Sequence, residues 1–408
     1  MKELLVIGHT YPEPSTTAAG QRMMQLIDLL EEAGYKVTFA SAAEPTDKSV
    51  DLKVQNIRIE EVRMNDSSFD DFVKALNPDV VLFDRFMTEE QFGWRVAEVC
   101  PHALRLLDTE DLHFLRKARR EAHERGTAIS EGLYSDLTKR ELASILRSDM
   151  SLIISSAEMN LLKGVFNIPE GLLYEIPLFY KALRDTPSFD ERSHFVTIGN
   201  FMHTPKTDSI YYLKESIWPL IREKLPTAQL RIYGAYASKE IQQLHDEAEG
   251  FLIKGWAPDV TTIMKSAKVC LAPLRFGAGL KGKVLDALSC GTPVVTTAFG
   301  AEGIDKGNGF PGKVAETPQE LAKAAIRLYS EENTWKDVQS QALKTIEDNY
   351  DRETYSQSFI ERIEALRETL QNHRKQHFLG QILQHEFLNS KKFMSKWIET
   401  KNTLKQNS

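Results

Sequence analysis

Cysteine is scarce: only Cys100, Cys270 and Cys290 occur in 408 residues, far apart and among apolar neighbours. Three such residues build no disulfide framework, and without a CxxC spacing they read as buried structural thiols. Long apolar runs are missing as well. A membrane-crossing helix needs about 20 consecutive apolar residues, and no segment approaches that length. The opening MKELLVIGHTYPEPS is apolar only over Leu4–Ile7 and reads as a strand, not a signal peptide. Positive charge is not in excess. The formal net charge of -7 argues against a general nucleic-acid binder. Two glycine signatures are absent too: Gly8 lacks the following glycines of GxGxxG, and no GxxxxGK(S/T) occurs, which moves nucleotide hydrolysis down the list. These absences leave a cytoplasmic α/β enzyme as the expectation, with contact at the inner face of a membrane left open.

What is present is length and a repeated pattern. A chain of 408 residues exceeds what one core usually supports, so two domains are expected. Leu4–Ile7, a Pro/Ser/Thr-rich loop, a helical pattern through Met23, Leu26, Ile27 and Leu30, and Val37–Ala40 make strand, loop, helix, strand. Further strands are predicted at Val54–Ile59, Val80–Phe83, Ala103–Leu107 and Leu152–Ser155, with charged helix from Leu112 to Arg147. After a Pro-rich linker, Pro177–Ser193, a second cycle runs through strands Phe195–Ile198, Gln229–Tyr233, Gly250–Ile253, Val269–Ala272 and Val294–Thr296. The expected domains are 1–185 and 190–345, each a Rossmann-like parallel sheet, with a cleft between them. Residues 346–408 form a helical tail. Its apolar stripes (Phe359, Ile360, Ile363 and Leu366; Phe378, Leu379, Ile382, Leu383 and Phe387; Phe393, Met394, Trp397 and Ile398) read either as helices packed back on the domains or as a membrane- or partner-binding surface.

Chemistry is expected at strand ends, where open parallel sheets bind ligands. In VCLAPLRFGAGLKGKVLDALSCGTPVVTT, Gly277 and Gly279 let backbone approach a ligand, and the helix starting near Lys281 offers free N–H groups to phosphate. Arg275 and Lys283 add positive charge there, and Asp286, one turn on, is placed to accept ribose hydroxyls. The plainer reading of the last two is a surface salt bridge. GNFMHTPKTD brings Gly199, Asn200, His203 and Lys206 to another strand end, and Trp256 either stacks on a base or walls the pocket. In the first half, LLDTEDLHFLR sets Asp108, Glu110 and Asp111 after a strand, more charge than helix capping needs. Without DxD spacing or a histidine ligand beside them, no metal site is assigned. The loop before Gly20 and Arg22 is an acceptor-side candidate, or simply a glycine-permitted turn.

These segments together resemble the GT-B glycosyltransferases, in particular the retaining family 4, group 1 transferases. The resemblance rests on APLRFGAGLKGKVLDALSCGTPVVTT followed by AEGI, with GNFMHTPKTD, IKGWAPDV, LLDTEDLHFLR and the opening loop, and spans most of residues 1–345. It implies an acceptor-binding first domain and a second domain that holds a nucleoside-diphosphate sugar as co-substrate, without a cofactor or metal. The acceptor would be a glycan, a lipid-linked saccharide or a protein. By this resemblance Gly199, Asn200, Lys206, Trp256, Gly277, Gly279, Lys283 and Asp286 would bind the donor, with Asp286 standing for the family's ribose-binding glutamate. Asp111, Arg275 and Lys283 would serve catalysis, and Gly20, Arg22 and Glu110 the acceptor side. Two positions depart from the pattern: Ala278 replaces the family's earlier glutamate, and Glu110 stands where many members carry histidine. The departures motivate a noncatalytic nucleotide- or glycan-binding partner as the alternative reading, with a nucleotide-sugar epimerase behind it.

Overall fold

A computed structural model describes residues 2–304, 306–307 and 309–406. Two all-parallel sheets form its two domains. The first sheet contains β1 (Lys2–Gly8), β2 (Tyr35–Ser41), β3 (Arg58–Glu61), β4 (Val80–Asp84), β5 (Leu104–Asp108), β6 (Met150–Ile153) and β7 (Leu173–Glu175), in the order β3-β2-β1-β4-β5-β6-β7. The second contains β8 (Ser193–Ile198), β9 (Leu230–Tyr233), β10 (Phe251–Gly255), β11 (Ala267–Ala272), β12 (Val294–Thr296) and β13 (Lys313–Val314), in the order β10-β9-β8-β11-β12-β13. Each order reverses once, between β1 and β4 and between β8 and β11. At such a switch point the loops diverge and leave a crevice.

The sequence pattern explains the sheets. Leu4, Leu5, Val6 and Ile7 are all fully buried, because helices cover both faces of a parallel sheet. Leu4 and Val6 join one core with Met23, Ile27 and Leu30, whereas Leu5 and Ile7 join another with Val81 and Leu107. Helix Ala18–Glu32 begins where Thr17 accepts the Gly20 N–H at 2.9 Å. Gly34, at φ 86°, then turns the chain into β2.

Several boundaries differ from the sequence reading. Val54 is exposed in a turn and the strand starts at Arg58, since only the later residues pair with β2. The edge strands β7 and β13 are too short to leave a pattern. The charged segment from 112 to 147 divides into helices His113–Arg125, Ile129–Gly132 and Asp136–Arg147, the first ended by Gly126 at φ 66°.

The tail crosses back. Helix Arg352–Gln376 places Phe359, Ile363, Leu366 and Leu370 in the first domain's core beside Leu4 and Met150. Helix Phe378–Gln406 lies on the same domain through polar contacts: Gln384 accepts from Arg105 at 3.0 Å and Ser395 from Arg95 at 2.9 Å. Its large apolar residues Phe393, Met394 and Trp397 face outward.

The domains touch across the cleft. Arg119 forks onto Glu302 with two 2.6 Å bonds, and Glu158 accepts the Gly279 N–H at 2.9 Å. A side chain at Gly279 would come within 2.8 Å of the Asp111 Cβ, so glycine is what lets the loops meet.

Candidate functional site

Three connected cavities occupy the cleft, at the carboxyl ends of both sheets. The central one, about 450 Å³, lies between Glu110, Asp111 and Arg85 of the first domain and the Phe276–Lys283 loop of the second. A second, about 340 Å³, is bounded by Gly199, Gly234, Trp256–Thr261 and Asp286. The two share Thr17, Ala18, Lys206, Gly282 and Lys283, so the two lysines stand at their junction. A third, about 410 Å³, continues from the central cavity past His203, Met87 and Phe276.

The lysines carry the electrostatics. No carboxylate within ion-pairing distance and no hydrogen-bond partner is found for the Lys206 or Lys283 ammonium among the described residues. Burial lowers the Lys206 pKa to about 8. Burial, and then repulsion from Lys206, takes Lys283 down to about 7. Two ammonium groups held together with little solvent make a strong anion attractor. Lys206 is placed by helix Thr204–Tyr212, which starts after His203 and has Pro205 in its first turn. Its stem lies over Gly199, where a Cβ would meet Lys206 Cδ at 2.7 Å. Lys283 sits in the first turn of helix Gly282–Ser289.

One turn on from Lys283, the roles become positional. Asp286 lines the second cavity and accepts from the Tyr180 hydroxyl at 3.0 Å, and burial raises its pKa to about 6. Trp256 is 40% exposed at the rim, with Lys48 Nζ 4.1 Å from its ring centroid. Gly277 and Gly279 both have positive φ, 148° and 63°, and form the floor of the central cavity.

Across the cavity, Asp111 accepts two 2.7 Å bonds from Arg116. Burial opposes ionisation of Asp111, but Arg116, His113 and Arg85 outweigh it and hold the pKa below the usual value. Glu110 behaves in the opposite way. It is buried with a left-handed backbone (φ 59°), its Oε1 has no hydrogen-bond partner, and burial followed by Asp108 raises its pKa well above normal. Its carboxyl is therefore harder to ionise than a free glutamate's, and in its protonated form it would donate to a ligand oxygen. His113 is lowered to about 4, chiefly by burial, and is neutral near pH 7.

Of the thirteen residues given site roles from sequence, nine line these cavities, Glu110, Asp111, Gly199, Lys206, Trp256, Gly277, Gly279, Lys283 and Asp286, and His203, singled out beside Lys206, lines the central and third ones. Four do not. Arg275 pairs with Asp208 and lies over the Tyr212 ring, because its neighbours Leu274 and Phe276 take the inward positions. Asn200 turns its Oδ1 to the Met202 N–H at 2.9 Å and shapes the loop. Arg22 is 1% exposed and neither faces the cleft nor solvent: it donates to Asp108 at 2.9 and 3.0 Å and to the Ile176 carbonyl. Gly20 is set against the Glu13 backbone, where a Cβ would lie 2.5 Å away. Nor is the Lys283–Asp286 surface salt bridge formed: Lys283 is buried, and the Asp286 carboxylate accepts from Tyr180 instead.

Sequence reasoning missed Arg85, Arg116, His113 and Lys281, all on the cavity wall. Arg85 follows β4 with φ 69°, an uncommon conformation for an arginine. Lys281 donates to the carbonyls of Ala278, at 3.1 Å, and Gly279, and so holds the glycine loop in shape. Its place in the GAGLKGK run was the available signal; Arg85 had none beyond its position after a buried strand.

Residues 192–331 match the family model described as Glycosyl transferases group 1. No curated protein matches the chain. Among solved structures it is similar to sucrose-phosphate synthase from Thermosynechococcus elongatus, with 15% identity, 90% of this chain and 99% of that one covered, and a TM-score of 0.66. It is similar to S. aureus TarM in a complex that includes UDP, at 11% identity, 90% and 100% coverage and a TM-score of 0.66. Anabaena HepE in complex with UDP-glucose gives 15%, 90% and 100%, with a TM-score of 0.64. At these identities the likeness is one of fold, and the fold is GT-B.

Proposed function

With a second domain that matches the group 1 glycosyl transferases and a chain folded as GT-B, we propose that this protein is a retaining glycosyltransferase that uses a nucleoside-diphosphate sugar. The observation that carries the proposal is a pair of ammonium groups, of half-buried Lys206 and buried Lys283, that have no partner among the described residues and stand where the central and second cavities join. A diphosphate bridges two compartments, a nucleoside on one side and a sugar on the other, and needs cationic charge between them. The second cavity would take the nucleoside, with Asp286 toward the ribose and Trp256 at the rim. The central cavity would take the sugar, between Glu110, Asp111 and the glycine loop. TarM with UDP and HepE with UDP-glucose support a uridine nucleotide as the first donor to try.

In the proposed reaction the bond from the anomeric carbon to the diphosphate oxygen breaks as an acceptor oxygen bonds the same face of that carbon. The acceptor hydroxyl's proton passes to the departing diphosphate. Lys206, Lys283 and the helix N–H groups at Gly282–Lys283 would stabilise the negative charge that grows on the leaving group. Interdomain contacts such as Arg119–Glu302 keep water from competing as acceptor. The cationic pair supplies the charge that a divalent metal would otherwise provide, so the reading takes no metal, and a cytoplasmic enzyme working on a glycan, lipid-linked or protein acceptor. Ala278 and Glu110 favour a second reading, a noncatalytic nucleotide-binding partner that has kept the phosphate and ribose contacts.

The two readings separate in one assay. Incubated with a panel of nucleotide sugars in EDTA, with lysate glycans and lipids as acceptors, the transferase releases nucleoside diphosphate in an acceptor-dependent way with one donor. Lys283→Ala and Asp286→Ala should each cut that release at least ~10-fold. Donor binding without release under any acceptor supports the partner reading, and no binding at all removes the phosphate assignment.

A further inference from the structure

The third cavity is not needed for the donor, and its wall is unusual for an acidic chain. It holds the cationic side chains of Arg116, Lys117, Arg120 and Arg140 and no carboxylate. Apolar groups complete it: Phe86, Met87, Leu137, Met202 and Phe276. Two of the cations are committed, Arg116 to Asp111 and Arg140 to Glu90. The other two are not. Lys117 and Arg120 have carboxylates only at 3.7 Å, Glu121 and Glu124, one turn on in the same helix, and the buried Arg120 Nε has no hydrogen-bond partner. Such loose, half-exposed pairs stabilise little and leave both charges available to a ligand.

Position gives the cavity its meaning. It opens from the central cavity at His113, Arg116 and His203, opposite the end that leads to Asp286. In the reading above, a molecule lying in it would reach the sugar's anomeric carbon from the acceptor side. We infer that the acceptor carries a phosphate group beside an apolar segment, with the phosphate at Lys117 and Arg120 and the apolar segment along Phe86, Leu137 and Met202. The inference deepens the transferase reading and depends on it for the word acceptor, but the binding site stands on its own residues. Guanidinium and ammonium groups on the wall of one cavity suit phosphate oxygens, which accept several charge-assisted bonds at once. An aromatic and thioether wall beside them suits a hydrocarbon chain better than the hydroxyls of a fully polar glycan phosphate.

The test uses three probes on the full chain by calorimetry below their micellar concentrations. Octyl phosphate carries both features, glycerol 1-phosphate only the charge, and octyl glucoside only the chain. Octyl phosphate is expected to bind at least ~10-fold tighter than either of the others, and to lose at least ~10-fold in the Lys117→Gln/Arg120→Gln variant, which should stay close to the wild-type melting temperature because both side chains are half-exposed and loosely paired. UDP affinity should be the same in that variant, and Lys283→Met should leave octyl phosphate binding intact. Equal binding of octyl phosphate and octyl glucoside, or no effect of the double substitution, would overturn the phosphate site. Equal binding of glycerol 1-phosphate would overturn the apolar segment and point to a soluble phosphorylated acceptor. Displacement of octyl phosphate by UDP, or its loss in Lys283→Met, would assign the binding to the donor site and overturn the inference. Failure of UDP binding alone would count against the donor reading and leave this one standing.

Discussion

The two walls of the cleft handle charge in opposite ways. On the first domain, acids and bases lie side by side and neutralise one another: Arg116 with Asp111 and Arg85 beside Asp84 on the wall itself, and Arg22 with Asp108 buried behind it. On the second, half-buried Lys206 and buried Lys283 lie close enough to repel, with no acid in contact among the described residues. A paired buried charge holds a shape, since each partner would be costly without the other. An unpaired one costs the fold stability and is tolerated where a ligand of the opposite sign completes it. The first wall is therefore built to keep its geometry, and the second to change its charge balance when something binds.

The comparison can be broken most sharply at Arg22. Arg22→Leu strips the partner from a fully buried Asp108, and should cost roughly 3–5 kcal/mol in denaturant unfolding. A loss below ~1 kcal/mol would mean that the first wall is not held by its pairs.

The second wall should respond with the opposite sign. Lys283→Met keeps the side chain's volume and removes a buried charge, so the melting temperature should rise by roughly 2 °C or more while UDP affinity falls at least ~10-fold. Because the Lys283 pKa is lowered in the fold, to about 7 from 10.5, the unfolded chain binds more protons between those values and stability rises with pH across that window. The methionine variant should lose that rise. A variant that is both less stable and unchanged in UDP binding would make Lys283 an ordinary structural residue.

The smallest effect is on pH dependence. A diphosphate raises the pKa of Lys283, so binding above pH 7 must take up a proton, and affinity should fall toward pH 9 by up to ~10-fold per unit. Below about pH 6, Asp286 gains a proton and loses its value as a hydroxyl acceptor. UDP titrations from pH 5 to 9 should peak between 6 and 7, with proton uptake at pH 8 visible in buffers of different ionisation enthalpy. A flat profile would place the lysine charge outside the binding step.

Much of this molecule could be read in advance. The runs Leu4–Ile7, Val80–Phe83, Phe195–Ile198 and Val269–Ala272 are strands, because short, mostly apolar runs between polar turns have few other places to go. The glycine loop was legible for a similar reason: Gly277 and Gly279 adopt backbone angles that other residues rarely take. Short edge strands left no pattern, and a single arginine leaves none either. Nothing local separates Arg275, which turned out to hold Asp208, from Lys283, which faces the junction of the cavities.

By itself, then, the sequence determined the two parallel sheets, their switch-point loops and the small residues that let backbone approach a ligand, because these follow from hydrophobic spacing and backbone sterics within short windows. Only the tertiary structure decided which charges are paired. Arg22 meets Asp108 across 86 residues, and Arg119 meets Glu302 across 183. Whether a buried charge is neutralised or left for a ligand depends on partners brought together by the fold, and Coulomb interactions act on distance in space, with no regard to distance along the chain.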